Sequence, residues 1–86
     1  MALSVDDLQT AAQQAYASKW EGRASQKDLG DVLGIDRSAI SRGLRSPGLK
    51  HAAVQARILS YLNECTVQRR STYNGKNVRH EWVIDP

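Results

Sequence analysis

Apolar residues recur at helical spacing over the first three quarters of the chain and then switch to alternation. Leu8, Ala11, Ala12, Ala15, Tyr16 and Trp20 mark a first helix over about residues 5–19. Ser4 is placed to cap it, and Asp6 and Asp7 fall in its first turn, where carboxylates meet the positive end of the helix dipole. Its inner face is mostly alanine, so a second helix can approach closely. Gly22 ends it, and residues 22–24 form a connector that can hold a one-bridge strand. Ser25 caps a second helix, QKDLGDVL, with Asp28 where a capping box usually carries Glu or Gln. Leu29, Val32 and Leu33 are its expected inner face, and Gly34 is a suitable left-handed stop. Asp36 caps a third helix at about 37–45, with Ala39, Ile40 and Leu44 inward. Arg37, Ser38, Ser41, Arg42 and Arg45 then project outward, and Pro47 disfavours helical geometry at Ser46. A fourth helix, about 50–64, carries Val54, Ile58, Tyr61, Leu62 and Cys65 at a spacing of three to four.

Beyond it the period becomes two. TVQRRSTY and KNVRHEWVI flank Asn74-Gly75, a strong hairpin signal. Taking those two residues as the turn pairs Tyr73 with Lys76, Ser71 with Val78, Arg69 with His80 and Val67 with Trp82. Val67, Val78, Trp82 and Ile84 then share a face that can pack on the helices. The outer face carries Thr66, Gln68, Arg70, Thr72, Asn77, Arg79, Glu81 and Val83. In this register Arg70 lies opposite Arg79. Like charges across a sheet are destabilising, so the pair invites an anion, and Lys76 at the tip extends the basic track. The fold expected is mainly α with a C-terminal β-hairpin: a three-helix core, a fourth helix, then a two-stranded ribbon.

Length and charge sharpen this picture. The 86 residues suffice for one small domain, residues 1–86, whose core is marginal and would gain from dimerisation. Phe is absent, so Tyr16, Trp20, Tyr61, Tyr73 and Trp82 supply all the aromatic bulk. The single cysteine, Cys65, lies in an apolar stripe, which points to a buried thiol in a reducing compartment. No apolar run approaches the ~20 residues of a membrane span, and no basic-then-apolar leader is present, so a cytoplasmic protein is expected. The net charge is +3 but unevenly spread. Residues 1–34 hold three basic against five acidic residues, and residues 35–86 hold nine against four. A basic C-terminal part suggests a polyanionic partner.

The segment GIDRSAISRGLRSPG holds three arginines and a single acid, Asp36. It also completes a countable motif. Gln26 opens the unit; Gly30, four residues on, is small where two helices cross; Gly34 lies in the turn; Ile35 plugs the core; Ile40 anchors the next helix. Over about residues 25–45 this resembles the DNA-binding helix-turn-helix of phage repressors, Cro-like proteins and related bacterial regulators. It departs at Gly43, where those regulators usually carry a branched apolar residue, and Leu44 is expected to take over that packing. The resemblance implies that residues 37–45 are a recognition helix lying in the major groove. Arg37, Ser38, Ser41, Arg42 and Arg45 would face the DNA beside Asp36, and Gln26 would touch a phosphate. Arginine suits this task because its planar fork can hydrogen-bond guanine O6 and N7 together. The hairpin is similar to the wing of winged-helix proteins, so Arg70, Lys76 and Arg79 would follow the DNA backbone. Alternatively it covers the core or pairs with its twin in a dimer.

Other chemistry finds no footing in the sequence. His51, His80 and Cys65 do not form a metal set at ligand spacing, and neither a catalytic triad, paired carboxylates nor a phosphate-binding glycine loop can be argued. The expectation is a non-enzymatic, cofactor-free protein that binds double-stranded DNA sequence-specifically. It would be a small transcriptional repressor of phage, plasmid or bacterial origin, acting as a homodimer with Tyr16, Trp20, Tyr61 and Trp82 as candidate contacts. The alternatives are an excisionase, partition or replication-accessory protein, and a protein-interaction adaptor on the same scaffold.

Overall fold

Three of the four helices begin where a side chain takes up a free backbone N–H; the last, which follows Gly48, has no such cap. In the computed structural model, which describes all 86 residues, the order is β1 (Ala2–Leu3), α1 (Val5–Lys19), α2 (Gln26–Leu33), α3 (Arg37–Arg45), α4 (Leu49–Asn63), β2 (Thr66–Asn74) and β3 (Asn77–Asp85). Ser4 Oγ accepts the Asp7 N–H at 3.2 Å, and the Asp36 carboxylate accepts the Ser38 N–H at 3.0 Å. At α2 the capping box is complete: Ser25 Oγ accepts from Asp28 N–H at 3.1 Å, and the Asp28 carboxylate accepts from Ser25 N–H at 3.2 Å. Aspartate therefore does here what glutamate usually does. Gly34, at φ 69°, ends α2 in the left-handed conformation. Helix α4 runs one residue ahead of its expected span and ends at Glu64, itself left-handed at φ 50°. No helix is long and apolar enough to cross a membrane.

The core forms between α1, α2, α3 and α4 around Leu8, Ala12, Leu29, Ile40, Leu44, Ile58 and Leu59, and Trp82 joins it from the sheet. The alanine face of α1 meets α4 directly, as small side chains allow. Two helix residues expected inside are outside. Val32 is 53% exposed, because α2 buries the line Leu29, Gly30 and Leu33, and Val32 lies about 100° around the helix from Leu33. Tyr61 is 45% exposed, its ring meeting Trp20 edge-on at 6.2 Å. The inner line of α4 is instead Ala52, Gln55, Ile58, Leu59 and Leu62. Cys65, just past the helix end, is half-buried rather than buried.

The ribbon is a hairpin with a third strand added. The connector at 22–24 contains no strand; β1 pairs with β3 instead, Ala2 with Val83 and Leu3 with Trp82, giving the order β1-β3-β2. The turn is Gly75-Lys76, with Asn74 opposite Asn77, Tyr73 opposite Val78, Ser71 opposite His80, Arg69 opposite Trp82 and Val67 opposite Ile84. This register is two residues away from the expected one. Positive φ occurs at Gly75 (63°) and not at Lys76, the pattern of a type II′ turn with glycine in its first position. A slip of two preserves the faces, so Val67, Trp82 and Ile84 still point to the helices. It changes the neighbours: Arg70 faces Glu81 and Thr72 faces Arg79, so the expected Arg70–Arg79 opposition is replaced by opposite charges. Every residue from Gln68 to Arg79 is exposed, Val78 included, so the outer half of the hairpin is an arm reaching past the helices.

Gly30 is where α2 comes closest to the chain beyond the turn. A Cβ there would overlap the Ile35 carbonyl oxygen, which is backbone and has no freedom to move aside. Gly30→Ala is therefore expected to lower stability by about 1–3 kcal/mol, read from the midpoint of urea unfolding. An unchanged midpoint would show that the turn after α2 is looser than described.

Candidate nucleic-acid interface

The first turn of α2 and the outward face of α3 enclose an open cleft of about 690 Å³. Its walls are Ser25, Gln26, Lys27, Arg37, Ser38, Ser41, Arg42 and Arg45, with no hydrophobic residue among them. The spacing of the α3 residues explains this: positions 37, 38, 41, 42 and 45 share one helix face, while Ile40, Gly43 and Leu44 are buried on the other. All six helix residues expected to meet DNA, Gln26, Arg37, Ser38, Ser41, Arg42 and Arg45, thus line one cleft. Ser25 and Lys27 join them, and their place in the same first turn as Gln26 was the available signal.

The cleft is positive and its arginines are not neutralised. The ion pairs of the molecule are Lys27 with Asp31, and Glu81 with both Arg70 and Arg79; none involves Arg37, Arg42 or Arg45. Arg45 Nε donates to the Ser41 carbonyl at 3.3 Å, which steadies the side chain without cancelling its charge. The nearby acid Asp36 is occupied in capping α3. Asp28 is similarly committed: the Ser25 N–H, then the Ser25 hydroxyl, hold its carboxyl below the usual range. Both α2 and α3 begin at this cleft, where the Asp28 and Asp36 carboxylates meet the positive ends of the two helix dipoles, and the guanidinium groups supply the positive charge.

At its other end α3 is gripped from two sides. The last four carbonyls of a helix lack partners within it. Here the Arg42 carbonyl accepts from Ser46 N–H at 2.9 Å. The Gly43 carbonyl accepts from Gln55 Nε2 at 2.9 Å, and that same amide also donates to the Ser46 carbonyl at 2.8 Å. The Leu44 carbonyl accepts from Gln9 Nε2 of α1 at 2.6 Å. Arg57 Nη2 holds the end of α2 in the same way, donating to the Leu33 carbonyl at 2.8 Å. Gly43 lets α4 come close: a Cβ there would sit 3.2 Å from Val54 Cγ1. None of these supports was anticipated, although Gln55 falls on the inward line between Ala52 and Ile58, which marks it as a buried polar residue.

Arg70, Lys76 and Arg79, the hairpin residues expected to meet DNA, lie outside the cleft. Glu81 sits between two of them, Oε2 at 2.7 Å from Arg70 Nη2 and Oε1 at 3.6 Å from Arg79 Nε. The two arginines therefore have a protein carboxylate in common and do not require an external anion. Lys76 is exposed in the turn. On the inner face, Arg69 stacks toward Trp82 with its guanidinium carbon 5.8 Å from the ring centroid, and His80 Nδ1 lies 2.9 Å from Ser71 Oγ. Comparison with protein-family models, with curated proteins and with solved structures finds no significant match to this chain.

The hydrogen bond from Arg70 holds the Glu81 carboxyl below the usual range. A lowered folded-state pKa stabilises the fold above the unfolded value and loses that contribution as pH falls through the folded one. The arm should loosen as pH falls below the ordinary glutamate range, seen as changing NMR shifts at residues 69–81, and Glu81→Gln should remove most of that acid response. Identical acid responses in the two proteins would show that Glu81 does not tie the arm together.

Proposed function

We propose that the protein binds double-stranded DNA sequence-specifically, laying α3 in the major groove. The observation that carries this reading is the cleft itself: three arginines without carboxylate partners and two serines on one face of a short, exposed helix. A bidentate Arg–guanine contact discriminates against other bases by ~1–3 kcal/mol. Ser38 and Ser41 are short, so they let the helix approach the base edges. Gln26, Lys27 and the free amides at the start of α2 suit a phosphate at the groove's rim. On the exposed arm, Lys76 is the charge most available to follow the backbone, whereas Arg70 and Arg79 share Glu81.

The role that fits is a small regulator, in the first place a repressor of bacterial, phage or plasmid genes, acting in the cytoplasm by occupying its site. It would act as a homodimer on inverted half-sites about one helical turn apart. No catalytic step is part of this reading.

Selection of bound sites from random duplex DNA, followed by anisotropy titration at several salt concentrations, tests it. A shared, symmetric sequence should emerge. With about six phosphate contacts, affinity should fall roughly a thousandfold between about 50 and 200 mM salt. Arg42→Ala should relax preference at particular base pairs, whereas Lys76→Ala should weaken all duplexes about equally and lower the salt slope by about one. Absence of salt-dependent duplex binding would overturn the proposal.

A further inference from the structure

We infer that Gln9 and Gln55 are specificity-determining positioning residues: acting from α1 and α4, they fix the rotation of α3 about its own axis. The inference rests on the DNA-binding reading above and goes beyond it by assigning a role to residues that lie outside the cleft.

Three observations converge on the last turn of α3. Gln9 reaches in from α1 to the Leu44 carbonyl, at 2.6 Å. Gln55, wholly buried on α4, spends both amide hydrogens on the Gly43 and Ser46 carbonyls, at 2.9 and 2.8 Å. Those contacts hold the helix end from two different neighbours, so a turn of α3 draws its carbonyls away from donors fixed on α1 and α4. Gly43 then brings α4 against the α3 backbone, leaving little slack between the axes. The gripped carbonyls belong to residues adjacent to Arg42 and Arg45, two of the cleft's three arginines.

Rotation matters more here than stability does. A turn of α3 by ~20° moves a side-chain tip near the 5–6 Å outer radius of a helix by about 2 Å. Donor–acceptor distances must stay near 2.7–3.2 Å, so a displacement of about 2 Å breaks the paired contact of a guanidinium with one base. Phosphate attraction, which falls off slowly with distance, would survive it. Loosening the clamp should therefore cost discrimination while leaving nonspecific affinity in place.

The structure accepts a penalty to keep this arrangement. Gln55 Oε1 is buried and has no hydrogen-bond partner. A leucine would fill similar space without an orphaned acceptor, but it would leave the Gly43 and Ser46 carbonyls without their donor. A glutamine at this point serves the end of α3 rather than the core around it.

The test uses the whole 86-residue chain and two duplexes: the one recovered by selection with the unaltered chain, and the same duplex with its bases scrambled. Gln9→Met keeps the aliphatic stem and removes the donor; Gln55→Leu does the same on α4. Leu62→Val, at the sheet end of α4, controls for loss of stability alone. For Gln9→Met the ratio of the two dissociation constants should fall about tenfold, with scrambled-duplex affinity and salt slope little changed. Gln55→Leu should fall at least as far, and if it fails to fold, Gln9→Met decides alone. A ratio unchanged in Gln9→Met, or lowered no more than in Leu62→Val, overturns the inference while DNA binding stands. Failure of the unaltered chain to select any duplex overturns the DNA-binding reading and this inference with it.

Discussion

The carboxyl end of α3 is where the molecule's geometry is decided. A nine-residue helix cannot hold itself together in water, because helix formation needs more turns than that to offset its nucleation cost. It also leaves carbonyls unpaired at its end. This chain meets both needs at one place. Amides from Gln9 and Gln55 take the Leu44, Gly43 and Ser46 carbonyls, and Val54 rests on the bare backbone at Gly43. Glycine lowers helix stability by about 1 kcal/mol relative to alanine. Here it lets α4 approach closely enough for Gln55 to donate twice. The same economy appears at Gly30, where only hydrogen fits beneath the Ile35 carbonyl.

This anchoring divides α3 by face. Ile40, Gly43 and Leu44 are committed to the interior, and the opposite face is left with arginine and serine alone. The acids near the cleft are spent on other tasks: Asp28 and Asp36 cap helices, and Asp31 pairs with Lys27. The three arginines of the cleft therefore keep no carboxylate partner within the protein. The hairpin is organised differently. Its outer face carries a carboxylate, Glu81, that cross-links Arg70 and Arg79, so its basic character is partly consumed in holding two strands together.

Local signals in the sequence were reliable where one or two residues determine the geometry. Ser4, Ser25, Gly34 and Asp36 mark helix ends by hydrogen bonds made within a few residues, and the structure uses each of them. The basic face of α3 followed from helical period alone. Signals failed where distant partners decide. Val32 and Tyr61 sit at the edges of apolar stripes, and period cannot say which edge is covered. The hairpin slipped by two residues because the Asn-Gly pair suggests a turn beginning at Asn74, while pairing Arg70 with Glu81 favours one beginning at Gly75. Strand β1 is two residues long and carries no pattern. Gln9 and Gln55 read as ordinary polar residues until the carbonyls they serve are placed.

On the proposed reading, the face of α3 opposite Ile40 and Leu44 meets duplex DNA. Mapping amide and arginine side-chain NMR shifts on adding a short duplex tests it most directly. The largest changes should fall on Gln26, Lys27 and residues 37–45, with smaller ones near Lys76. Changes confined to the hairpin or to α1, or none at all, would contradict it.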